Sequence, residues 1–328
     1  MDACRTPDPP ALRVLVLGGG GFIGRYAVAA LLAQRADVSI GSRHPERLDR
    51  RLPDAARACP RRRARFEQLL VAEDWRPLLE DIDVVVNCVG ILRPRGRETY
   101  QRVHHLAPAA LAEACRRAGK RLVHVSALGL QAPMRSGFLR SKADGEAALR
   151  RSGADCCIVR PSLLDAEAGG YGAAWIRRVA RWPLHAIPAD ATGRIAALDV
   201  RDLGLALAAL ARKPRLAREN GPAEYELGGT TALALGDYLA AMRLDLTGRP
   251  ARRLPVPGLL ARLASHACDL LHLTPFSFGH WELLRRDNVP THNALPDLLG
   301  RPPRPVVTPK PNEPGSFGLV GVGEAQGG

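Results

Sequence analysis

Lysine is scarce in this chain of 328 residues. It occurs only at Lys120, Lys142, Lys213 and Lys310, so arginine supplies the other 43 of the 47 basic side chains. Against 33 acidic residues the formal charge is +14. So one-sided a use of arginine, with abundant alanine, is what GC-rich coding produces, and it weakens any reading of the charge as a nucleic-acid surface. Aromatic residues make up only 5% of the chain. The densest basic stretch, Arg57, Arg61, Arg62, Arg63 and Arg65, has Phe66 as its one aromatic neighbour. It lacks the stacking platforms used on single strands, so a solvated loop and no nucleic-acid partner are expected. No apolar run approaches the ~20 residues of a membrane span. The N-terminus has no basic region followed by an apolar core, so no signal peptide is expected. The 7 cysteines form no C-x-x-C pair. Cys156 and Cys157 would face opposite sides of a strand, and suit neither each other nor one metal. Reduced thiols in a cytoplasmic protein, at most peripheral to a membrane, are expected. There is no H-E-x-x-H string and no paired-carboxylate cluster, so neither a metal site nor a hydrolytic triad is expected.

Hydrophobic residues at 46% and charged residues at 24% suit a globular protein. The run Leu12-Arg13-Val14-Leu15-Val16-Leu17 reads as a strand and ends in glycines; a helical pattern follows. Val38-Ser39-Ile40 reads as the second strand, and further strands are expected at 84–86, 122–125 and 157–159. Helical patterns at 107–118 and 142–151 separate them. Strand and helix alternating in this way give an α/β fold, a Rossmann-type doubly wound parallel sheet. After Pro161 the alternation breaks, with helices expected at 173–182 and 199–212. The expected division is a dinucleotide-binding domain over 12–165 joined by helix 199–212, a smaller C-terminal substrate lobe from 166–198 and 213–310, and a flexible tail at 311–328.

Gly18-Gly19-Gly20-Gly21-Phe22-Ile23-Gly24 carries glycines spaced G-x-x-G-x-x-G between the first strand and helix. A tight turn, a close backbone approach to a pyrophosphate and close helix packing all need glycine there. The helix N-terminus adds free N–H groups and the positive end of a dipole. The second strand selects the cofactor. An NAD site places a carboxylate about 20 residues on, for the ribose 2′-hydroxyl. Here Ser42 and Arg43 stand in that stretch, a hydroxyl and a guanidinium suited to a 2′-phosphate, so NADP is favoured over NAD.

The chain resembles the extended and atypical short-chain dehydrogenase/reductases. The matching strings run in order: Gly18 to Gly24, Val86-Asn87-Cys88-Val89-Gly90, Val125-Ser126-Ala127-Leu128-Gly129, Phe138-Leu139-Arg140-Ser141-Lys142 and Val159-Arg160-Pro161-Ser162. Gly24-Arg25-Tyr26, Gly145-Glu146, Asp287-Asn288-Val289 and Leu298-Leu299-Gly300-Arg301-Pro302-Pro303 look most like the branch containing the complex I accessory subunit and its bacterial relatives. The resemblance implies a cofactor site built from Gly18, Gly20, Gly21, Phe22, Ile23, Gly24, Ser42, Arg43, Gly90, Lys142 and Pro161. It also implies catalytic roles for Ser126, which orients a carbonyl, and Lys142, which serves a tyrosine four residues earlier.

That tyrosine position is Phe138, which has no ionisable hydroxyl and cannot be a general acid or base. The asparagine some members add aligns with His104, a candidate proton relay or a structural histidine. The first expectation is therefore an NAD(P)H-binding protein, catalytically impaired, with an accessory role and a protein partner such as a respiratory complex. The second is a working NADPH-dependent reductase or epimerase on a small carbonyl or sugar nucleotide, with an unusual proton donor. Residues 259–273 have helical spacing and an apolar stripe. The stripe is expected to pack on its own domain, with docking on a partner or a membrane interface as the alternative.

Overall fold

Val14 to Leu17 are completely buried, as in a strand covered by helices on both faces. They lie in β1 (Arg13–Leu17), which leads through the glycines into α1 (Phe22–Ala33). The computed structural model describes residues 11–48, 52–131, 133–167, 169–219, 221–271 and 274–308; the expected tail at 311–328 lies outside them. From β1 the chain continues through β2 (Asp37–Ser42), β3 (Arg61–Arg63), α2 (Ala72–Leu79), β4 (Val84–Asn87), α3 (Ala107–Ala118), β5 (Arg121–Val125), α4 (Gly137–Arg151) and β6 (Cys156–Pro161). Cys156 and Cys157 do part to opposite sides of the sheet, each into a different half of the core.

The second half begins with β7 (Leu164–Asp165), α5 (Tyr171–Ala180), β8 (Leu184–Pro188), β9 (Arg194–Ile195), β10 (Leu198–Asp199) and α6 (Val200–Ala211). After β11 (Ala217–Arg218), β12 (Gly221–Leu227), β13 (Leu233–Ala234) and α7 (Leu235–Thr247) come β14 (Arg252–Val256), α8 (Gly258–Leu271), α9 (Phe278–Leu284) and α10 (Leu295–Leu299). The main sheet has the order β11-β12-β6-β5-β4-β1-β2-β3 and is parallel except for β11. Strand order reverses around β1, which pairs with β2 on one side and β4 on the other. The crevice at such a reversal, beyond the C-terminal strand ends, is where this architecture receives ligands.

Two expectations need correction. Residues 221–227, assigned from sequence to the smaller lobe, form β12 and extend the main sheet beside β6, from Ala223 opposite Cys157 to Leu227 opposite Pro161. Glu224 and Glu226 gave the segment the alternation of a half-exposed strand, unlike the continuous apolar runs of the inner strands. The apolar stripe of 259–273 also fails to pack as expected: within α8, Leu259, Leu260, Leu263, Leu270 and Leu271 are exposed, while Ala261 and Ser265 are buried. The inward side of α8 is its small-residue side.

Several branch-like motifs turn out to be clamps between segments. Buried Asp202 on α6 accepts hydrogen bonds from the Arg304 backbone N–H (2.6 Å) and the Arg301 guanidinium (2.6 Å), and pairs with the Arg304 side chain. Ser162, just past β6, donates to Asn288, and the Arg194 N–H donates to Asp287. Glu146 on α4 pairs with Arg160 of β6, both nearly inaccessible. A carboxylate and guanidinium can stay ionised at such depth only when paired in this bidentate way.

Candidate dinucleotide and substrate site

The glycine loop is shaped by steric demand. Gly18 sits at φ +73°, a left-handed conformation that glycine adopts freely. Its N–H donates to Gly41 O and its carbonyl accepts from Gly21 N–H, both at 2.8 Å, closing the turn. A Cβ on Gly24 would drive into Gly18 O, and one on Gly20 into the Leu48 side chain. Gly21 is the N-cap of α1 and offers no side-chain cap, so no capping side chain competes for the first N–H groups of the helix. These residues fit a pyrophosphate. Gly90, by contrast, has ordinary room for a Cβ; no steric demand fixes glycine there.

Ser42 closes β2 and Arg43 follows it. Arg43 is half-exposed and forms an ion pair with Glu98, from the loop after β4, while Ser42 Oγ accepts from the His44 N–H at 3.3 Å. The structure thus places both beside the crevice but gives Arg43 an acidic partner that sequence spacing could not show.

A second corner of the site, around Phe138 and Lys142, lies at the ends of β4 and β5 and the start of α4. Residues 101–106 form a π-helical turn before α3, a geometry common at functional sites. Gly145 lets α4 pass against it, because a Cβ there would strike His104 O. The start of α4 is held from far away: buried Glu282 of α9 accepts the N–H groups of Arg135 (2.7 Å) and Ser136 (2.9 Å). That long-range cap explains why α4 begins at Gly137 rather than at 142.

Phe138, at the tyrosine position, is walled in by rings. Tyr100 and His104 lie at centroid distances of 5.7 and 5.5 Å, and His280 stacks on it at 6.1 Å. Lys142 Nζ sits 5.9 Å above the same ring. Among the described residues no carboxylate forms a salt bridge with Lys142. Burial pushes its pKa down to about 8, with Glu146 pulling weakly the other way. Ser126 follows β5, its N–H bonded to Val159 O at 2.7 Å. Its Oγ is buried and has no hydrogen-bond partner among the described residues, an orphan of the kind that a ligand oxygen satisfies. Pro161 closes β6 and its carbonyl accepts from Leu128 N–H at 3.1 Å, tying the Ser126 loop to the sheet.

His104 is committed within the fold. Its Nε2 accepts from the Ile91 N–H at 3.0 Å. Ser141 Oγ spends its hydrogen on Phe138 O (2.9 Å), so it must accept from His104 Nδ1–H at 3.1 Å. Burial, with the Lys142 charge second, holds the ring well below the usual histidine range. Both nitrogens are occupied and no proton is available for relay. Sequence reading missed a second buried histidine, His124. Asn87 Oδ1 accepts from Val89 N–H, so its amide N–H points at His124 Nδ1, 3.0 Å away. Burial lowers His124 to about 4. The pair anchors the turn that leads to Gly90. His280 and Tyr100 were missed as well; the Tyr100 phenol donates to Leu92 O, and burial raises its pKa to about 12.

Residues 18–178 match a family described as NAD(P)H-binding. The chain is 29% identical over 307 residues to a ceramide reductase of Caulobacter vibrioides, spanning 88% of this chain and 90% of that protein. It is 32% identical over 156 residues to subunit 9 of the NADH dehydrogenase [ubiquinone] 1 alpha subcomplex of Rattus norvegicus, covering 45% of this chain and 39% of the rat protein. A nucleoside-diphosphate-sugar epimerase of Staphylococcus aureus superposes with a TM-score of 0.68 at 17% identity, over 90% of this chain and 98% of its own; at that identity the likeness is one of fold. With the sheet reversal and the glycine cradle in place, these matches converge on one likeness: over its first half the chain is similar to NAD(P)H-binding proteins, and over most of its length to a reductase.

Proposed function

We propose that the chain is an NADP(H)-dependent reductase of a ketone carried on a lipid, with Lys142 as proton source in place of the missing tyrosine. The observation that carries this reading is a pair of groups, one after β5 and one on α4: a buried Ser126 hydroxyl without a partner among the described residues, and a half-buried Lys142 ammonium without a carboxylate partner among them. When bound, the dinucleotide supplies hydride to the carbonyl carbon. The chain's part is the oxygen. Ser126 Oγ–H donates to it, and as the C=O π electrons move onto the oxygen Lys142 Nζ gives up a proton and ends neutral. A pKa of about 8 leaves Lys142 mostly protonated at neutral pH yet acidic enough to transfer. His104, with both nitrogens engaged, positions the backbone rather than moving a proton.

The lipid part of the proposal is supported by the relative named for ceramide reduction, matched over nearly the whole of both chains. The choice of NADP is supported by Ser42 and Arg43 at the end of β2, where the strand itself supplies no carboxylate; a 2′-phosphate would draw Arg43 from Glu98. The test is NADPH oxidation with the ketone form of a ceramide, beside soluble ketones and sugar nucleotides. Turnover confined to the lipid ketone is expected. Absence of saturable NADPH or NADH binding would end the proposal.

A second reading has its own support. The rings around Phe138 fill the place where a phenol would act, and one relative is a complex I subunit. On that reading the chain binds NADP(H) as a silent accessory protein: saturable cofactor binding is expected, with no turnover of any carbonyl.

A further inference from the structure

We propose that α8 docks the protein on an anionic lipid bilayer, its leucines facing the membrane. The helix is built the wrong way round for a member of a core. Leu259, Leu263 and Leu270 are 68%, 57% and 79% exposed, and they fall on one side at intervals of four and seven residues. Leu260 and Leu271, both more than half exposed, form the adjacent row. These spacings make a continuous stripe along a helix.

The inward side is held by other means. Ala261 and Ser265 are buried. Asp269, the one acid on α8, is turned inward to Arg93 (3.3 Å) and the Phe278 N–H (2.9 Å). His266, exposed and seven residues after Leu259, stacks on Phe278 at 4.4 Å from the border of the leucine stripe. Polar and small-residue contacts therefore fix the helix's rotation, and they fix it with the leucines outward. A contiguous apolar stripe of this kind on a folded surface marks a binding face.

Charge selects the occupant. The outward side of α8 bears no acid, and exposed Arg262 lies on its flank, between the leucine stripe and the inward side. The strand that feeds it, β14, presents exposed Arg252 and Leu254 in register with exposed Leu184 and Ala186 of β8, so the four share one face of the ribbon. Half-exposed Trp182 precedes that ribbon, a residue type favoured at the headgroup boundary. Apolar side chains rimmed by arginine match a bilayer with acidic headgroups. A second copy fits poorly, since each chain brings a charge of +14 and a twofold contact would set like arginines against each other. A cleft of about 660 Å³ opens beside this face, lined by Leu259, Arg262, Met134, Phe278 and Trp281. It lies along α9, whose His280 stacks on Phe138.

The test uses the full chain in flotation with vesicles of phosphatidylcholine alone and of phosphatidylcholine mixed with phosphatidylglycerol. Binding to the anionic vesicles is expected to be about tenfold tighter or more and to weaken with salt. The double variant Leu263→Glu, Leu270→Glu should lose it by about a hundredfold with its melting midpoint unchanged, because both side chains are exposed. Arg262→Gln should weaken it by about fivefold. The proposal is overturned if the wild type fails to float with anionic vesicles, or if the double variant binds as the wild type does. Light scattering that finds a dimer which the double variant dissociates also overturns it and assigns the face to a second copy. Ketone turnover on a detergent-dispersed substrate is read separately, so failure here leaves the proposed reaction standing, and the reverse.

Discussion

The glycine cradle and the corner around Phe138 lie at the C-terminal ends of neighbouring strands, yet opposite means specify them. The cradle is defined by missing side chains: at Gly20 and Gly24 a single Cβ would collide with neighbouring atoms. The corner is defined by polar groups withdrawn from water, Lys142, His104, His124 and Ser126: burial lowers the pKa of the lysine and of both histidines and leaves the serine hydroxyl without a partner among the described residues. The first arrangement needs only backbone shape. The second is opposed by desolvation, which the surrounding fold must outweigh.

The comparison can be broken most forcefully at Lys142. Lys142→Met should lower ketone turnover by about 10²–10⁴ while making the protein more stable. A lysine shifted from 10.5 to about 8 costs on the order of 3 kcal/mol while charged and buried. The cost is present below pH 8 and is relieved as pH rises from 8 to 10.5, so wild type and variant should converge over that window in denaturant titrations. An unchanged or lowered stability at neutral pH would count against a desolvated ammonium.

The histidines give the next largest effect. His124 is held neutral, its pKa lowered from 6.5 to about 4. Its contribution to stability is complete above 6.5 and is lost as pH falls toward 4, up to about 3 kcal/mol. Melting midpoints should fall over that range, and His124→Gln, which keeps an acceptor for Asn87, should flatten the slope.

The cradle responds differently. Gly24→Ala should weaken NADPH binding by about tenfold or more, since the turn at Gly18 must open to admit the methyl group. Its effect should be the same at every pH, and cofactor fluorescence titration at several pH values reads this directly. The smallest change is expected at Glu98→Gln. Releasing Arg43 should tighten NADPH by about threefold, comparable to a surface ion pair, and leave NADH unaltered; equal tightening of both would separate Arg43 from the 2′-phosphate.

Much of the cradle was legible in the sequence because steric demand acts between near neighbours: Gly18 to Gly24 and the end of β2 lie within thirty or so residues. The helix starting at Val200 was legible from Asp199, whose side chain accepts from Arg201 N–H at 2.7 Å. The corner was legible only in its resemblance-bearing residues, Ser126, Phe138 and Lys142. His124, Asn87, Tyr100 and His280 gain their roles from partners tens of residues away or more, and no local pattern marks them. The rotation of α8 was unreadable for the same reason. An apolar stripe gives a face but not its direction, and here Asp269 reaching Arg93 turns that face outward.

The clamp at Asp202 has a mechanical consequence. The chain leaves the main sheet after β6, returns for α6 and β12, leaves again, and comes back where Arg301 and Arg304 lock onto Asp202. Each lobe is thus stitched through the other, like two sheets of cloth joined by one thread passing back and forth. Neither half can come loose without drawing on the other. Heating should therefore release them together, in one calorimetric transition, with no protease-resistant half surviving a cut between them.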